Sequence, residues 1–293
     1  MSSPVPPPLT PPGSPSLGPL PPAASPPGSC GYPGYPPPLV PPPSRAGIPP
    51  EIRWGLGDVG WGLLLFFIGQ VAMSVLAIAI LMATGGGDTI DVDRLPLLAI
   101  VLGVIGGWAG LIGWPVIATW FKGQRSLRKD FGLAFTWADV GWGVLAGFAC
   151  LAVSVLLGLL WVAISGEDPP SNAGFLEDVG TGPLVVLVLF ATIAVGTPVA
   201  EELFFRGLFM RALGKRWNVR VAVIGSSLVF GAMHATAGTS VVAALFIAGV
   251  TAAYGFVLAL LTVWRDGRLG GAITAHMVIN GTQVLLYFLA GVR

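Results

Sequence analysis

Apolar stretches of about 20 residues dominate the chain from residue 59 onward, separated by short polar or charged segments. They cover approximately residues 59–83, 96–120, 140–164, 183–207, 219–237, 240–263 and 270–290. An α-helix rises about 1.5 Å per residue, so each stretch is long enough to cross a hydrocarbon core of roughly 30 Å. The pattern predicts an all-α, polytopic transmembrane helix bundle of about seven helices, within a range of six to eight.

The first 50 residues have a different composition, dominated by Pro, Gly and Ser, with Arg45 as the only charged residue. Such a segment has too little apolar surface to offset the entropy of ordering. We therefore predict a disordered, Pro/Gly-rich cytoplasmic tail over residues 1–53, with polyproline II character, and a transmembrane domain over residues 54–293. The proline runs also allow a binding role, although a solvated tail is the simpler interpretation.

The basic residues fall almost entirely on one side of this predicted bundle. That side carries Arg45, Arg53, Lys122, Arg125, Arg128, Lys129, Arg206, Arg211, Lys215, Arg216, Arg220, Arg265 and Arg268. The other side carries only Arg94 and Arg293, together with Asp88, Asp91, Asp93, Glu167, Asp168, Glu177 and Asp178. Because cytoplasmic loops are enriched in Lys and Arg, the distribution predicts a multi-pass plasma-membrane protein with a cytoplasmic N-terminus.

Composition narrows the class of protein further. The chain is 54% hydrophobic and 10% charged, with a mean hydropathy of +0.81, which excludes an ordinary soluble domain. Its net charge of +1 and the lack of a basic run argue against nucleic acid as a partner. Cys30 and Cys150 cannot form a disulfide framework, so both are predicted to be free thiols.

The most unusual apolar stretch contains two adjacent carboxylates, Glu201 and Glu202, followed by Arg206. Ionisable residues at membrane depth are costly and are functional candidates by default. Glu202 and Arg206 are four residues apart, in the favourable order for an ion pair on one helix face. We therefore predict that Glu202 and Arg206 form a supporting pair and that Glu201 is the working carboxylate. Pro198 should kink this helix, either to admit water or simply for packing.

Both histidines of the chain also lie inside apolar stretches, each with a companion four residues away. Phe230 shares a helix face with His234, and Asn280 shares one with His276. Counted from the basic boundary at about 1.5 Å per residue, Glu201, His234 and His276 lie at similar depths on three helices. This placement predicts one shared site, reached by water from the cytoplasmic side.

A carboxylate with imidazoles and an amide suits peptide-bond hydrolysis, and several known motifs can be compared. The HExxH motif is absent, and Gly225-Ser226-Ser227-Leu228 lacks the last glycine of GxSG. Gly55-Leu56-Gly57-Asp58 spells GxGD, but it lies at a helix entrance and no second aspartate occurs inside an apolar stretch. We interpret that match as coincidental.

The remaining trio, Glu201-Glu202-xxx-Arg206, Phe230-xxx-His234 and His276-xxx-Asn280, resembles the three motifs of the CPBP family. This family comprises type II CAAX prenyl endopeptidases and bacteriocin-processing or self-immunity relatives, also called Abi proteins. The resemblance covers about residues 140–290, which would form the protease core. Each motif is weak alone, and their order on three helices carries the resemblance.

The resemblance implies an intramembrane CAAX-type endopeptidase in which Glu201 and His234 activate water while His276 and Asn280 stabilise the oxyanion. Glu202, Arg206 and Phe230 would support these residues. The family is usually labelled a metalloprotease, so Glu201, His234 and His276 could hold a divalent metal such as zinc, although metal-free chemistry is our preferred interpretation because no short ligand spacing occurs.

Two other functions remain open at this point. The same residues could serve a non-proteolytic scaffold or bacteriocin self-immunity protein, or less favourably a proton-coupled transporter. For a protease, the expected partner is a membrane-associated, lipidated or peptide substrate. The composition suggests a bacterial host.

Overall fold

The computed structural model describes residues 52–84, 97–171, 179 and 182–289. Predictions for most of the tail, for Cys30, and for Asp88, Asp91, Asp93, Arg94, Glu177, Asp178 and Arg293 lie outside these residues. Within them the fold is all-α, as predicted, and contains no strand. The helices are α1 (Leu56–Ala83), α2 (Leu97–Lys122), α3 (Leu127–Phe131), α4 (Trp137–Ser165), α5 (Pro183–Arg216), α6 (Val219–Ala237), α7 (Val241–Trp264) and α8 (Gly270–Leu289).

Six of the described helices, α1, α2 and α4 to α7, are long and apolar enough to cross a membrane. The remaining predicted span corresponds to α8, whose 20 residues correspond to about 30 Å. Helix α8 carries the polar residues His276, Asn280 and Gln283, and it packs mainly against α4 and α5. The chain is therefore an integral membrane protein.

The helix boundaries differ from the apolar stretches where local capping or charge extends a helix. Helix α4 begins at Trp137 because Thr136 is its N-cap, and Thr136 and Asp139 form a reciprocal capping box. Helix α5 continues to Arg216, beyond the predicted end at 207, because its last turns are basic and reach the bundle end. Two π-helical segments, Phe190–Gly196 and Leu203–Phe209, interrupt α5.

Ion pairs and hydrogen bonds close the end of the bundle that carries the basic residues. Asp139 accepts from Arg265 at 2.7 Å and from Arg268 at 3.2 Å, which ties α4 to the loop between α7 and α8. Lys122 pairs with Asp58 at 2.7 Å. These contacts fix the helix ends relative to one another at this side.

Helices α1 and α2 pack closely through glycines, which recur in α2 at Gly103, Gly106, Gly107, Gly110 and Gly113. A Cβ atom added to Gly106 would clash with the backbone carbonyl of Gly69, and one added to Gly110 would clash with backbone atoms of Gly62 and Phe66. The absence of side chains at these positions therefore allows the two backbones to approach.

Replacing Gly69 by Ala should destabilise the protein by about 1–3 kcal/mol, because the added methyl group would be forced against the carbonyl of Gly106. Gly60→Ala is the matched control on the same helix, since nothing lies within 4 Å of its added Cβ. The unfolding free energy of both variants in mixed detergent micelles checks this. Equal effects of the two substitutions would contradict close backbone packing at Gly69.

Candidate active site

A single cavity of about 380 Å³ is lined by all four predicted catalytic residues, Glu201, His234, His276 and Asn280. They come from α5, α6 and α8, as the motif order requires. Residues of α1 and α2, including Gln70 and Val104, complete the wall. The first two helices thus contribute to the site, although no sequence motif pointed to them.

Glu201 presents a carboxylate with no hydrogen-bond partner at one oxygen. Its side chain is 15% exposed, and Oε2 is buried without a hydrogen bond among the described residues. His276 Nε2 lies 3.7 Å from this oxygen. A buried oxygen in this condition remains available to a bound water or substrate group.

The neighbouring carboxylate, Glu202, makes two side-chain contacts through Oε1, while its Oε2 is also buried without a hydrogen bond among the described residues. Glu202 and Arg206 are both fully buried, and Arg206 Nη1 donates to Glu202 Oε1 at 2.9 Å. The predicted ion pair is therefore present. The same oxygen accepts from His276 Nδ1 at 2.8 Å, so Glu202 also orients the histidine. This second contact joins α5 to α8, and no spacing in the sequence could have revealed it.

Phe230 packs against both histidines. Its ring centroid lies 4.8 Å from that of His234, as the four-residue spacing predicted, and 5.8 Å from that of His276 in an edge-to-face arrangement. The guanidinium of Arg206 lies 4.4 Å from the Phe230 centroid. One aromatic ring thus helps to fix two imidazoles and the supporting arginine.

The hydrogen bond of His234 determines which of its nitrogens can act as a base. Nδ1 lies 2.8 Å from the carbonyl oxygen of Phe230, which can only accept, so Nδ1 carries the proton. In the neutral ring, Nε2 therefore holds the lone pair. His234 lines the same cavity as Glu201 without contacting it directly among the described contacts, which leaves room for a small molecule between them.

Asn280 is anchored by an irregularity in α5. In the segment Phe190–Gly196 the backbone N–H of Thr197 donates to the carbonyl of Thr192, five residues earlier. The next donor in this register would be Pro198, which has no N–H, so the carbonyl of Ile193 lacks its helical partner. Asn280 Nδ2 donates to that carbonyl at 3.0 Å. Pro198 therefore helps to position Asn280, a consequence that the two sequence interpretations did not include.

The cavity extends towards the bundle end opposite the basic residues, whereas the sequence predicted access from the basic side. Its lining continues from His276 along α8 to Gln283 and from His234 along α6 to Ala237. The depth estimate counted residues only from the basic boundary. Helix α6 ends three residues after His234, so this histidine lies close to the opposite end.

The three predicted metal ligands line one cavity without forming a cluster that could bind a metal ion. Among the described residues, no three His, Cys, Asp or Glu side chains lie close enough together to hold a metal ion. Glu201, His234 and His276 as placed therefore do not fit a three-ligand metal site.

Part of the chain that contains the site matches a known protein family. Residues 183–282, which contain all four cavity residues named above, match the model of the family described as "Type II CAAX prenyl endopeptidase Rce1-like". The predicted resemblance is confirmed. The match covers α5 to α7 and most of α8.

A relative among curated proteins extends the similarity beyond the motif region. The Bacillus subtilis (strain 168) protein named "Putative membrane peptidase YdiL" is 27% identical over 231 residues, which cover 77% of this chain and 88% of the relative. No solved structure matches the chain. Both similarities thus connect the chain with membrane peptidases.

Proposed function

We propose that the protein is an intramembrane endopeptidase that hydrolyses a peptide bond of a membrane-associated or lipidated protein or peptide. The observation that carries this proposal is the convergence of Glu201, His234, His276 and Asn280, from three helices, on one cavity within the membrane domain. The similarity to type II CAAX prenyl endopeptidases supports the same reaction class. We also propose a bacterial plasma membrane as its location, with the N-terminus cytoplasmic.

In this mechanism Glu201 is the general base. Its unpartnered Oε2 takes a proton from a water molecule as the water oxygen attacks the carbonyl carbon of the scissile bond. The Nε2 lone pair of His234 accepts a hydrogen bond from the other O–H and orients the nucleophile. The new C–O bond converts the carbonyl into a tetrahedral oxyanion.

His276 and Asn280 are proposed to stabilise that oxyanion. Asn280 has a second amide N–H besides the one bound to Ile193, and His276 presents Nε2–H when its ring carries both protons. Glu202 holds the ring through Nδ1 at 2.8 Å. Each preorganised donor of this kind is worth about 3–4 kcal/mol in the transition state. Glu201 then returns its proton to the leaving nitrogen, and the C–N bond breaks.

The proposed mechanism uses only side chains of this chain and water. We propose that it proceeds without a resident metal because Glu201, His234 and His276 do not lie close enough together to bind one ion. Metal analysis of the purified, active protein tests this part separately. Stoichiometric zinc whose removal abolishes activity and whose return restores it would overturn it.

The function itself is tested by comparing protein termini in membranes from cells carrying the wild-type protein or the Glu201→Ala variant at equal expression. Specific new termini that appear only with the wild type would support the peptidase and identify its substrates. Identical profiles, together with a cellular phenotype that persists in the variant, would instead establish a scaffold or immunity role.

A further inference from the structure

Three cavities of the bundle form a series of neighbours that share lining residues, beginning at the proposed active site. A second cavity of about 20 Å³, the size of one water molecule, lies beside the site and shares His234, His276 and Asn280 with it. A third cavity of about 220 Å³ shares Thr251 and Tyr254 with the second. Gln283 lines all three.

The far end of this series lies at the less basic end of the bundle. The third cavity is bounded by Pro169, Pro170 and Ser171, which follow the end of α4. The site cavity is itself bounded by Thr236 and Ala237, both exposed and next to the short loop between α6 and α7. Both cavities are therefore bounded by residues at the less basic end of the bundle.

The opposite, basic end is filled by core side chains. Phe131 of α3, Phe204 and Leu208 of α5, and Ile273 of α8 are completely buried on that side of the site, as is Leu269 directly before α8. A cavity of about 500 Å³ does exist at the basic end, around Arg211 and Trp217. Among the described lining residues, it shares none with the site cavity.

We propose that water and substrate reach the site from the end opposite the basic residues, which the charge distribution places on the non-cytoplasmic side. The substrate class then follows, resting on the proposed peptidase function. It is an exported peptide, or the extracytoplasmic flank of a membrane-anchored protein, rather than a segment presented from the cytoplasm.

The lining of the site cavity also indicates the side chains that flank the scissile bond. Ile100, Val104, Met233 and Val284 form apolar walls, and Glu201 is the only described acidic or basic lining residue apart from the two histidines. An acidic substrate residue would face Glu201 without a described lysine or arginine to compensate it. Apolar or neutral residues next to the cleaved bond therefore fit best.

Access can be measured without any proteolysis by thiol labelling in the full-length protein. Cys30 and Cys150 are replaced by Ser and Ala, and single cysteines are introduced as Gln283→Cys and Thr236→Cys. Arg128→Cys, at an exposed position of the basic end, reports the cytoplasmic side, and Leu156→Cys on an exposed apolar face of α4 reports lipid. The probe is a charged, membrane-impermeant methanethiosulfonate applied to intact spheroplasts and to lysed membranes.

We expect Gln283→Cys and Thr236→Cys to react in intact spheroplasts, Arg128→Cys to react at least tenfold faster after lysis, and Leu156→Cys to stay unreactive in both. Labelling of both cavity positions only after lysis would overturn the proposal, as would labelling of Arg128→Cys in intact cells. The labelling measures only access to the cavity. The access proposal can therefore be contradicted while the wild-type protein still generates new termini, and it can be supported in cells where no new termini appear.

Discussion

The Glu201→Gln variant is expected to lose at least about a thousandfold in turnover, the middle of the range for removal of a general base. The amide retains the size of the side chain but cannot take a proton from water. Glu201 makes no hydrogen bond through its buried Oε2 among the described residues, so the substitution breaks no described contact of that oxygen. The melting temperature of the variant should therefore stay near that of the wild type, which separates loss of chemistry from loss of fold.

Glu167→Gln is the matched control, because it removes the same charge at an exposed position after the end of α4. Its turnover should equal that of the wild type when both purified proteins cleave a substrate identified from the new termini. Retention of more than a tenth of the wild-type rate by Glu201→Gln would exclude Glu201 as the base, whatever the effect on stability.

Most of the fold could be predicted because membrane helices follow a simple physical rule. Backbone polar groups must be satisfied inside each segment in a hydrocarbon environment, so a long apolar stretch has one available structure. The stretch 219–237 matches α6 at both ends. The main difference is at α5. Its last turns are basic, so a prediction based on hydropathy ends this helix before its observed end at Arg216.

Only the contacts of the candidate site that lie within one helix could be predicted from the sequence. The pairs Glu202 with Arg206 and Phe230 with His234 follow from a spacing of four residues, and both contacts are present. The bond from His276 to Glu202 and the bond from Asn280 to Ile193 join separate helices. They depend on helix rotation and on the π-helical register of α5, which no periodicity in the sequence specifies.

The largest expected effect on stability comes from breaking the buried ion pair. Arg206→Met removes a fully buried guanidinium and leaves the carboxylate of Glu202 with His276 as its only described polar partner. Removing one partner of a buried pair costs about 3–5 kcal/mol, because the remaining charge stays desolvated without full compensation. Unfolding by SDS titration in mixed micelles measures this loss.

The Asp266→Asn variant provides the comparison, since it breaks an ion pair with Arg268 in which Asp266 is 85% exposed, and should cost no more than about 1 kcal/mol. The double variant Glu202→Gln with Arg206→Met should recover part of the loss, because neither charge then remains buried. The recovered stability need not restore activity, because the neutral amide at position 202 orients His276 less strongly than a carboxylate does. Equal destabilisation by Arg206→Met and Asp266→Asn would contradict a desolvated pair, and the supporting role of Glu202 for His276 would then need another physical basis.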